Sequence, residues 1–556
     1  MLKLSNNSAW RRTVLEVFFW TLVVFLAGST MRHYQPISLS NDGIQYLSAA
    51  ENFNRGHGVS TSFIHYDTER CQGRIPARLT TFPPGYSIVI SAGRIWGNLE
   101  AFGRIVSCIC YAGTAALIAW ALILMGVIAV ARQFILTLFV TNAVSIAHST
   151  AVLADPFFTL LTTGALVALI CAEVRTLPKH REILLVAVSC LLTGMAYSVR
   201  YAGLFLIPVV AGYSLLRWAF ERDRLRWLYL LTPMVPIAIT GTLMLRNVLA
   251  VGTWRGGNDL AVYNPLKRVL ADYCWAQMHL ILGLHSPMAG VWEGVLLVGT
   301  CGVVVFLMAW RPRPGTPDRV PLSALGWAKR PGAAFLLAIC VVVYSAGLIY
   351  AGVRTVISFG TRMFLPMLPL YLLLLGMGMN RFVSRVPTRA RRTWLTVGLL
   401  LVAVGYVGVN ARDLYYHSTL PPLYEFLAPM YAKPIADGST LRQWIDSNIG
   451  ANDVIIATEG QATGYLLHRP TISLISPEYS RARWECDEVK HLMRSYRATY
   501  VILYKPSWPN RDFLVGDSQF VRTSLTQQPP CGFVVPAENA DIRIVTLGAA
   551  GRVQPR

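Results

Sequence analysis

The 556-residue chain is 54% hydrophobic and 14% charged, with a mean hydropathy of +0.45 and a net charge of +21. A soluble core of this length needs far less apolar material, and here that material lies in separated blocks of about 17–22 residues, the length that spans a bilayer as a helix. Composition thus excludes a soluble protein and points to a polytopic α-helical membrane protein. The positive charge is no argument for nucleic acid, because no soluble basic patch interleaved with aromatics accompanies it.

About eleven spans are predicted, near residues 14–31, 104–125, 134–152, 157–174, 183–199, 203–219, 228–245, 290–310, 333–351, 363–379 and 395–410. Lys3, Arg11 and Arg12 precede the first block, as in a secretory signal peptide, but the many spans that follow favour an uncleaved anchor over residues 1–31. With the N-terminus inside, Arg175, Lys179 and Arg181 fall on the cytoplasmic side, as do Arg222, Arg224 and Arg226. So do Arg311, Arg313, Arg319, Lys329 and Arg330, and finally Arg381, Arg385, Arg389, Arg391 and Arg392. An odd number of spans then sends the tail outside, together with the 32–103 loop. Much of the charge becomes a topology signal read by anionic headgroups.

After the anchor the chain falls into three regions: a first loop, a helical bundle and a tail. In the first loop, 32–103, Gly43 to Arg55 has helical spacing and stops at Gly56-His57-Gly58. After Phe82-Pro83-Pro84-Gly85-Tyr86, the segment Ser87 to Trp96 is apolar but too short to span and reads as a helix in the membrane interface. The bundle occupies 104–410. The tail, 411–556, alternates helix and strand: helices at Thr440–Asn448, Gln461–Leu467 and Glu485–Arg494, strands at Val454–Ala457, Thr471–Ile475 and Tyr500–Tyr504. That order describes a small extracytoplasmic α/β domain. Cys108, Cys110, Cys171, Cys190, Cys301 and Cys340 fall inside spans as small hydrophobes, whereas Cys71, Cys274, Cys486 and Cys531 fall outside. No Cys/His spacing suggests zinc, and in an oxidising exterior Cys486 and Cys531 are candidates for a disulfide.

Two acids and several arginines stand where chemistry at the bilayer surface needs them. Asp42 opens the first loop beside the membrane, and Asp155 occupies a very short outer turn, at a depth where an ionised group is costly without a partner or a task. Carboxylates at one face of a bundle suit general-base work on a hydroxyl or amine; the simpler reading of each is an N-terminal helix acid. Arg200, Arg246 and Arg362 lie at outer ends of spans, against the charge bias expected there. Guanidinium groups at that depth suit the phosphate of a lipid whose tail lies between helices, although each alone also reads as a snorkelling anchor. Arg78, Arg255 and Lys267 are weaker candidates. Asp67-Thr68-Glu69 has the composition of a divalent-cation loop, with an ordinary solvated loop as the simpler reading. No cofactor motif appears: there is no phosphate-cradling glycine loop, nucleophile elbow or dinucleotide fingerprint.

Asp42-Gly43-Ile44-Gln45-Tyr46-Leu47, followed by Ala50-Glu51-Asn52-Phe53 and Gly56-His57-Gly58, resembles the first-loop signature of the GT-C membrane glycosyltransferases. The branches it resembles contain the protein O-mannosyltransferases and the lipid A aminoarabinose transferase. Pro83 and Pro84 match the double proline before the interfacial helix, and Ala154-Asp155-Pro156 the second-loop acid. Arg200-Tyr201-Ala202-Gly203 resembles a recurrent motif between spans, and Arg362 through Pro366 a late Arg-aromatic-x-Leu-Pro pattern. The resemblance implies that Asp42 is the catalytic acid or base and Asp155 its support. It also implies that the outward arginines bind the phosphate of a polyprenyl-phosphate-linked sugar donor, and that Tyr46, Tyr201, Pro83 and Pro84 position substrate. The acceptor is then a lipid, glycan or protein. Phe82 stands where the aminoarabinose transferases have lysine, and Met363 where an aromatic is usual; both speak against that particular substrate pair.

Two rival classes share this composition. A transporter needs ionisable residues near mid-span and inverted repeats, and the sequence shows neither clearly. A surface-polysaccharide ligase or polymerase is expected to carry its long loop late in the bundle, whereas this chain carries one directly after the first span. Cysteine-labelling or reporter fusions at the tail are expected to report an outside C-terminus in the cytoplasmic membrane; an inside tail would overturn the placement of every site residue named above.

Overall fold

A computed structural model describes residues 7–34, 39–64, 71, 73–174, 177–256, 264–283, 332–354, 360–385, 389–419, 435–474, 483–505 and 518–548. The expected span near 290–310, the basic run from Arg311 to Arg330 and Asp67-Thr68-Glu69 lie outside them. The chain opens with α1 (Asn7–Tyr34). The first loop contributes α2 (Asn41–Asn54), the short strands β1 (Ser60–Thr61), β2 (Phe63–Ile64) and β3 (Ala77–Arg78), and α3 (Gly85–Ser91). The apolar helices follow: α4 (Leu99–Leu124), α5 (Ala129–Thr141), α6 (Ala143–Ser149), α7 (Ala154–Val174), α8 (Lys179–Val199) and α9 (Ile207–Phe220). They continue with α10 (Trp227–Leu231), α11 (Met234–Val251), α12 (Leu266–Leu282), α13 (Gly332–Arg354), α14 (Met367–Arg385) and α15 (Arg389–Thr419). The tail holds α16 (Thr440–Asn448), β4 (Ile455–Ala457), α17 (Gly460–Leu467), β5 (Thr471–Ser473), α18 (Cys486–Tyr496), β6 (Tyr500–Tyr504), α19 (Gln519–Thr526), β7 (Phe533–Glu538) and β8 (Ile542–Leu547).

Two compact units emerge: Met1–Pro36 with Arg104–Thr242 and Asn264–Thr419, and Ile37–Gly103 with Leu243–Tyr263 and Leu420–Arg556. The first is helical. Among the described residues seven helices are long and apolar enough to cross a membrane, or up to eight if one bent pair counts as a span. That pair, α5 and α6, covers the span expected near 134–152, and it bends by 55° between its two helices. The cause is Asn142, whose backbone is extended (φ −64°, ψ 111°) and whose side chain caps the next helix by accepting from the Ser145 N–H at 2.9 Å.

The second unit is built on one six-stranded sheet in the order β2-β5-β4-β6-β8-β7. The first four strands run parallel and the last two antiparallel. Alternation assigns the two faces. Ile456, Ile472, Val501, Leu503 and Val545 pack under α18 and α19, through Val489, Leu492, Met493, Phe520 and Val521. Ile455, Ala457, Ile502 and Ile544 pack under α16 and α17, through Leu441, Ile445, Ala462 and Leu467. Both faces are covered, as a parallel sheet requires. The edge partner β2 comes from the first loop, with Phe63 beside Thr471 and Ile64 beside Ile472. The first loop and the tail, separate regions in the sequence reading, thus share one core.

Cys486 and Cys531 form a disulfide across a separation of 45 residues, tying the start of α18 to the turn before β7. Closing a loop of that length is worth up to about 4 kcal/mol by the chain-entropy account. Replacing both cysteines by serine is expected to lower the denaturant midpoint of this unit, read by limited proteolysis of the tail, and reducing agent is expected to reproduce the shift in the wild type.

Candidate active site

In the second unit Asp42 sits half-buried in the first turn of α2, where a carboxylate faces the positive end of the helix dipole. The helix starts there because the Ser40 side chain accepts from the Gly43 N–H at 3.0 Å. One turn further, Tyr46 is buried between Phe82, at 5.0 Å between ring centroids, and Tyr86, edge-on at 4.9 Å. Pro83 and Pro84 are buried beside this aromatic cluster, and α3 begins directly after them, as a proline-initiated helix should. The Tyr86 hydroxyl donates to the Gly103 carbonyl at 3.3 Å. The double proline and Tyr46 therefore fix how the first loop folds back on α2. The apolar segment Ser87 to Trp96 is helical, as α3 followed by a 3₁₀ turn from Ala92 to Trp96 with Ile95 and Trp96 exposed.

The arginines of this unit divide. Arg246 donates through Nη2 to the Leu79 carbonyl at 2.9 Å and the Val59 carbonyl at 3.2 Å, clamping two stretches of the first loop. Nearby, Gly256 (φ +67°) lies so close to the Thr80 carbonyl that an added Cβ would be 2.2 Å from its oxygen. Arg78 is exposed on β3, opposite Ser60. Arg255 lies over the Trp254 ring, 4.9 Å from its centroid.

In the first unit Asp155 occupies the first turn of α7 with only 2% of its surface exposed, and Arg200 donates through Nη1 to its Oδ1. Arg200 stands in extended conformation between the end of α8 and a 3₁₀ turn, Tyr201–Leu206. Gly203 makes this tight reversal possible, since a Cβ there would meet the Tyr197 nitrogen at 2.4 Å. Tyr201 leans on Tyr197, ring centroids 5.7 Å apart. Arg362 lies half-buried on a second 3₁₀ turn, Thr361–Phe364, anchored by buried Phe364 against Tyr273 at 5.2 Å and by the Tyr344 hydroxyl donating to the Met363 carbonyl at 3.3 Å. Both arginines thus sit at helix interruptions. The sequence places Asp155 and Arg200 at the ends of neighbouring spans, but their direct pairing has no short-range signature. Lys267 is in the first turn of α12. Among the described residues no cluster of three or more His, Cys, Asp or Glu is placed to hold a metal ion.

Residues 77–247 match the family model described as dolichyl-phosphate-mannose-protein mannosyltransferase, a stretch that contains Pro83, Pro84, Asp155 and Arg200. No curated protein matches the chain in sequence. In fold the chain is similar to ArnT from Cupriavidus metallidurans bound to undecaprenyl phosphate, with 13% identity, 99% of this chain and 100% of that chain covered, and a TM-score of 0.56. The same protein in the apo state gives 12% identity, the same coverage and a TM-score of 0.52. The oligosaccharyltransferase of Archaeoglobus fulgidus, tethered to an acceptor peptide containing the NVT sequon, gives 11% identity, 88% and 69% coverage and a TM-score of 0.51. The chain shares its fold with ArnT.

Removing one partner of a buried ion pair leaves the other uncompensated, at a cost of about 3–5 kcal/mol. Arg200→Ala is therefore expected to lower the unfolding temperature in detergent more than the double replacement Asp155→Asn with Arg200→Gln. Equal losses would show that the pair is solvated rather than buried.

Proposed function

We propose that the protein transfers a sugar from a polyprenyl-phosphate carrier to a lipid, glycan or protein acceptor at the outer face of the cytoplasmic membrane. The observation that carries this reading is the likeness in fold over 99% of the chain to ArnT, whose crystal structure holds undecaprenyl phosphate. The outside is not supplied with nucleotide sugars, so a lipid-linked donor is the economical source. In this reading the chain crosses the membrane about eleven times, N-terminus inside and α/β tail outside.

The chemistry is a direct displacement. The acceptor O–H or N–H gives its proton to the Asp42 carboxylate as its heteroatom bonds to the anomeric carbon, the bond from that carbon to the phosphate oxygen breaks, and the carrier leaves as polyprenyl phosphate with inversion. Charge grows on the leaving phosphate, and Arg200 and Arg362 stabilise it, with Arg78 and Arg246 as further candidates. Asp155 already accepts a charge-assisted hydrogen bond from Arg200, so it suits orienting that guanidinium better than taking a proton. Asp42 is left as the base. Against a transporter stands the placement of charge: Asp155, Glu173, Glu182, Arg200 and Arg217 are buried or half-buried at helix ends, not at mid-length.

Asp42→Asn keeps shape and loses basicity, so it is expected to abolish transfer while the protein still folds and inserts; wild-type turnover with a lipid-linked donor would refute the assignment. Charge-assisted hydrogen bonds to a desolvated phosphate contribute on the order of 1.5–3 kcal/mol each, so Arg362→Ala is expected to cost roughly tenfold to a hundredfold in donor affinity. Arg362→Lys should recover only part, because it keeps charge and loses the planar fork.

A further inference from the structure

Two helix ends meet in the helical unit, the last turn of α12 and the first turn of α6. A helix end leaves its terminal carbonyls and N–H groups without intrahelical partners, and in an apolar surround each orphan is costly. Here three side chains take them. Asn142 Nδ2 donates to the Leu280 carbonyl at 2.8 Å, the Tyr406 hydroxyl to the Ile281 carbonyl at 3.1 Å, and Asn410 Nδ2 to the Leu282 carbonyl at 3.1 Å. The same asparagines serve α6: Asn410 Oδ1 accepts from the Ala143 N–H at 2.7 Å, and Asn142 Oδ1 from the Ser145 N–H at 2.9 Å. Asn142 Nδ2 also donates to the Tyr406 hydroxyl at 2.9 Å, closing the network. Asn142 and Asn410 are fully buried. Gly283, at φ +73°, ends α12 with no room for a side chain: a Cβ there would lie 1.8 Å from Asn410 Oδ1.

What this network holds matters more than how it holds it. Helix α6 continues through Thr150–Leu153 into Asp155. That turn is fixed by the N–H of Thr150 on the Ala147 carbonyl, the N–H of Ala151 on the His148 carbonyl and the Ser107 hydroxyl on the Leu153 carbonyl, each at 3.4 Å. The 3₁₀ turn that carries Arg362 packs against both α6 and α12. One cluster of polar side chains, drawn from segments far apart in sequence, therefore sits behind both the acid that orients Arg200 and the turn that presents Arg362.

We infer that Asn142, Tyr406 and Asn410 are positioning residues for the donor-phosphate site. They act through α6 and α12 on Asp155 and Arg362, and touch neither the carrier nor the sugar. The inference rests on the glycosyltransferase reading for its ligand, but its structural half is independent of that reading.

Two mild substitutions test it in the full-length protein in nanodiscs. Tyr406→Phe removes one hydroxyl. Asn142→Ser keeps a side chain that caps α6 but cannot reach the Leu280 carbonyl. Both are expected to raise amide exchange in residues 143–155 and 361–366 while leaving the tail sheet unchanged, and to weaken binding of undecaprenyl phosphate about tenfold. In an Arg362→Ala background the same substitutions are expected to weaken binding by less than they do in the wild type, because only the part that runs through Asp155 remains, whereas a general loss of stability predicts full additivity. Wild-type exchange in those two segments for both variants, or a loss of binding fully additive with Arg362→Ala, would overturn the inference. If the wild type does not bind undecaprenyl phosphate at all, the reading of function fails. The exchange measurement then still decides whether the network holds the two segments.

Discussion

A backbone polar group inside an apolar bundle must find its partner within the protein, and that constraint governs where this chain can interrupt a helix. Interruptions are what a bundle needs if charged side chains are to stand at defined points along it. Each one here comes with its own set of donors and acceptors. The break at Asn142 is met by Asn410 and by the residue itself. The end of α12 is met by three side chains, and the reversal after α8 by the Arg200 N–H on the Ala196 carbonyl at 2.9 Å and the Gly203 N–H on the Arg200 carbonyl at 2.9 Å. In the other unit Arg246 does the same service for the carbonyls of Val59 and Leu79.

The long-range part of this scheme explains what the sequence reveals and what it hides. The apolar helices are legible because hydropathy integrates over a whole span, and the tail strand Tyr500–Tyr504 because a short β-rich run between breakers has one reading. Asn142 hides in an apolar block as a single polar residue, since its partners lie 138 and 264 positions away and leave no local trace. Strand β2 hides because two residues carry no period. Strand β7, Phe-Val-Val-Pro-Ala-Glu, hides because its proline and its exposed valines read as loop; at a sheet edge, with a register shift between Val534 and Ala537, both features are tolerated. The candidate residues themselves were legible as charges in costly places. Their pairing was not: a guanidinium expected to await a phosphate already holds a carboxylate.

That pairing changes what Arg200 can do. A lone arginine at the end of a span is a flexible cation that snorkels toward headgroups. Bound to a nearly buried Asp155, it is held in one orientation, with its remaining N–H groups directed by the fixed planar fork. In the proposed donor site the pair would also lower the net charge, so an incoming phosphate would meet less than a full extra positive charge at this position. Under that proposal the loss in attraction would be offset by preorganisation, since a guanidinium already held in place loses less side-chain entropy on binding.

Helix α8 supplies the remaining rigidity. At its start Glu182 accepts from the Tyr229 hydroxyl at 2.8 Å and pairs with fully buried Arg217, which reaches Glu221 at 2.8 Å. At its end stands Arg200, paired with Asp155. A helix of 21 residues is roughly 30 Å long, about the thickness of the hydrocarbon core. Ion pairs at both ends pin it along its axis and in rotation, because a turn or slide that kept one pair would break the other. Breaking the Arg200–Asp155 pair removes the carboxylate's ion-pair partner where it is buried, a larger penalty than the pair's own net contribution, whereas Glu182 and Arg217 keep Lys179 and Glu221 as second partners. Such pairs add little to stability over a well-packed apolar alternative; what they add is register. In the proposed reading, that register would set where the Arg200 guanidinium stands relative to the donor phosphate.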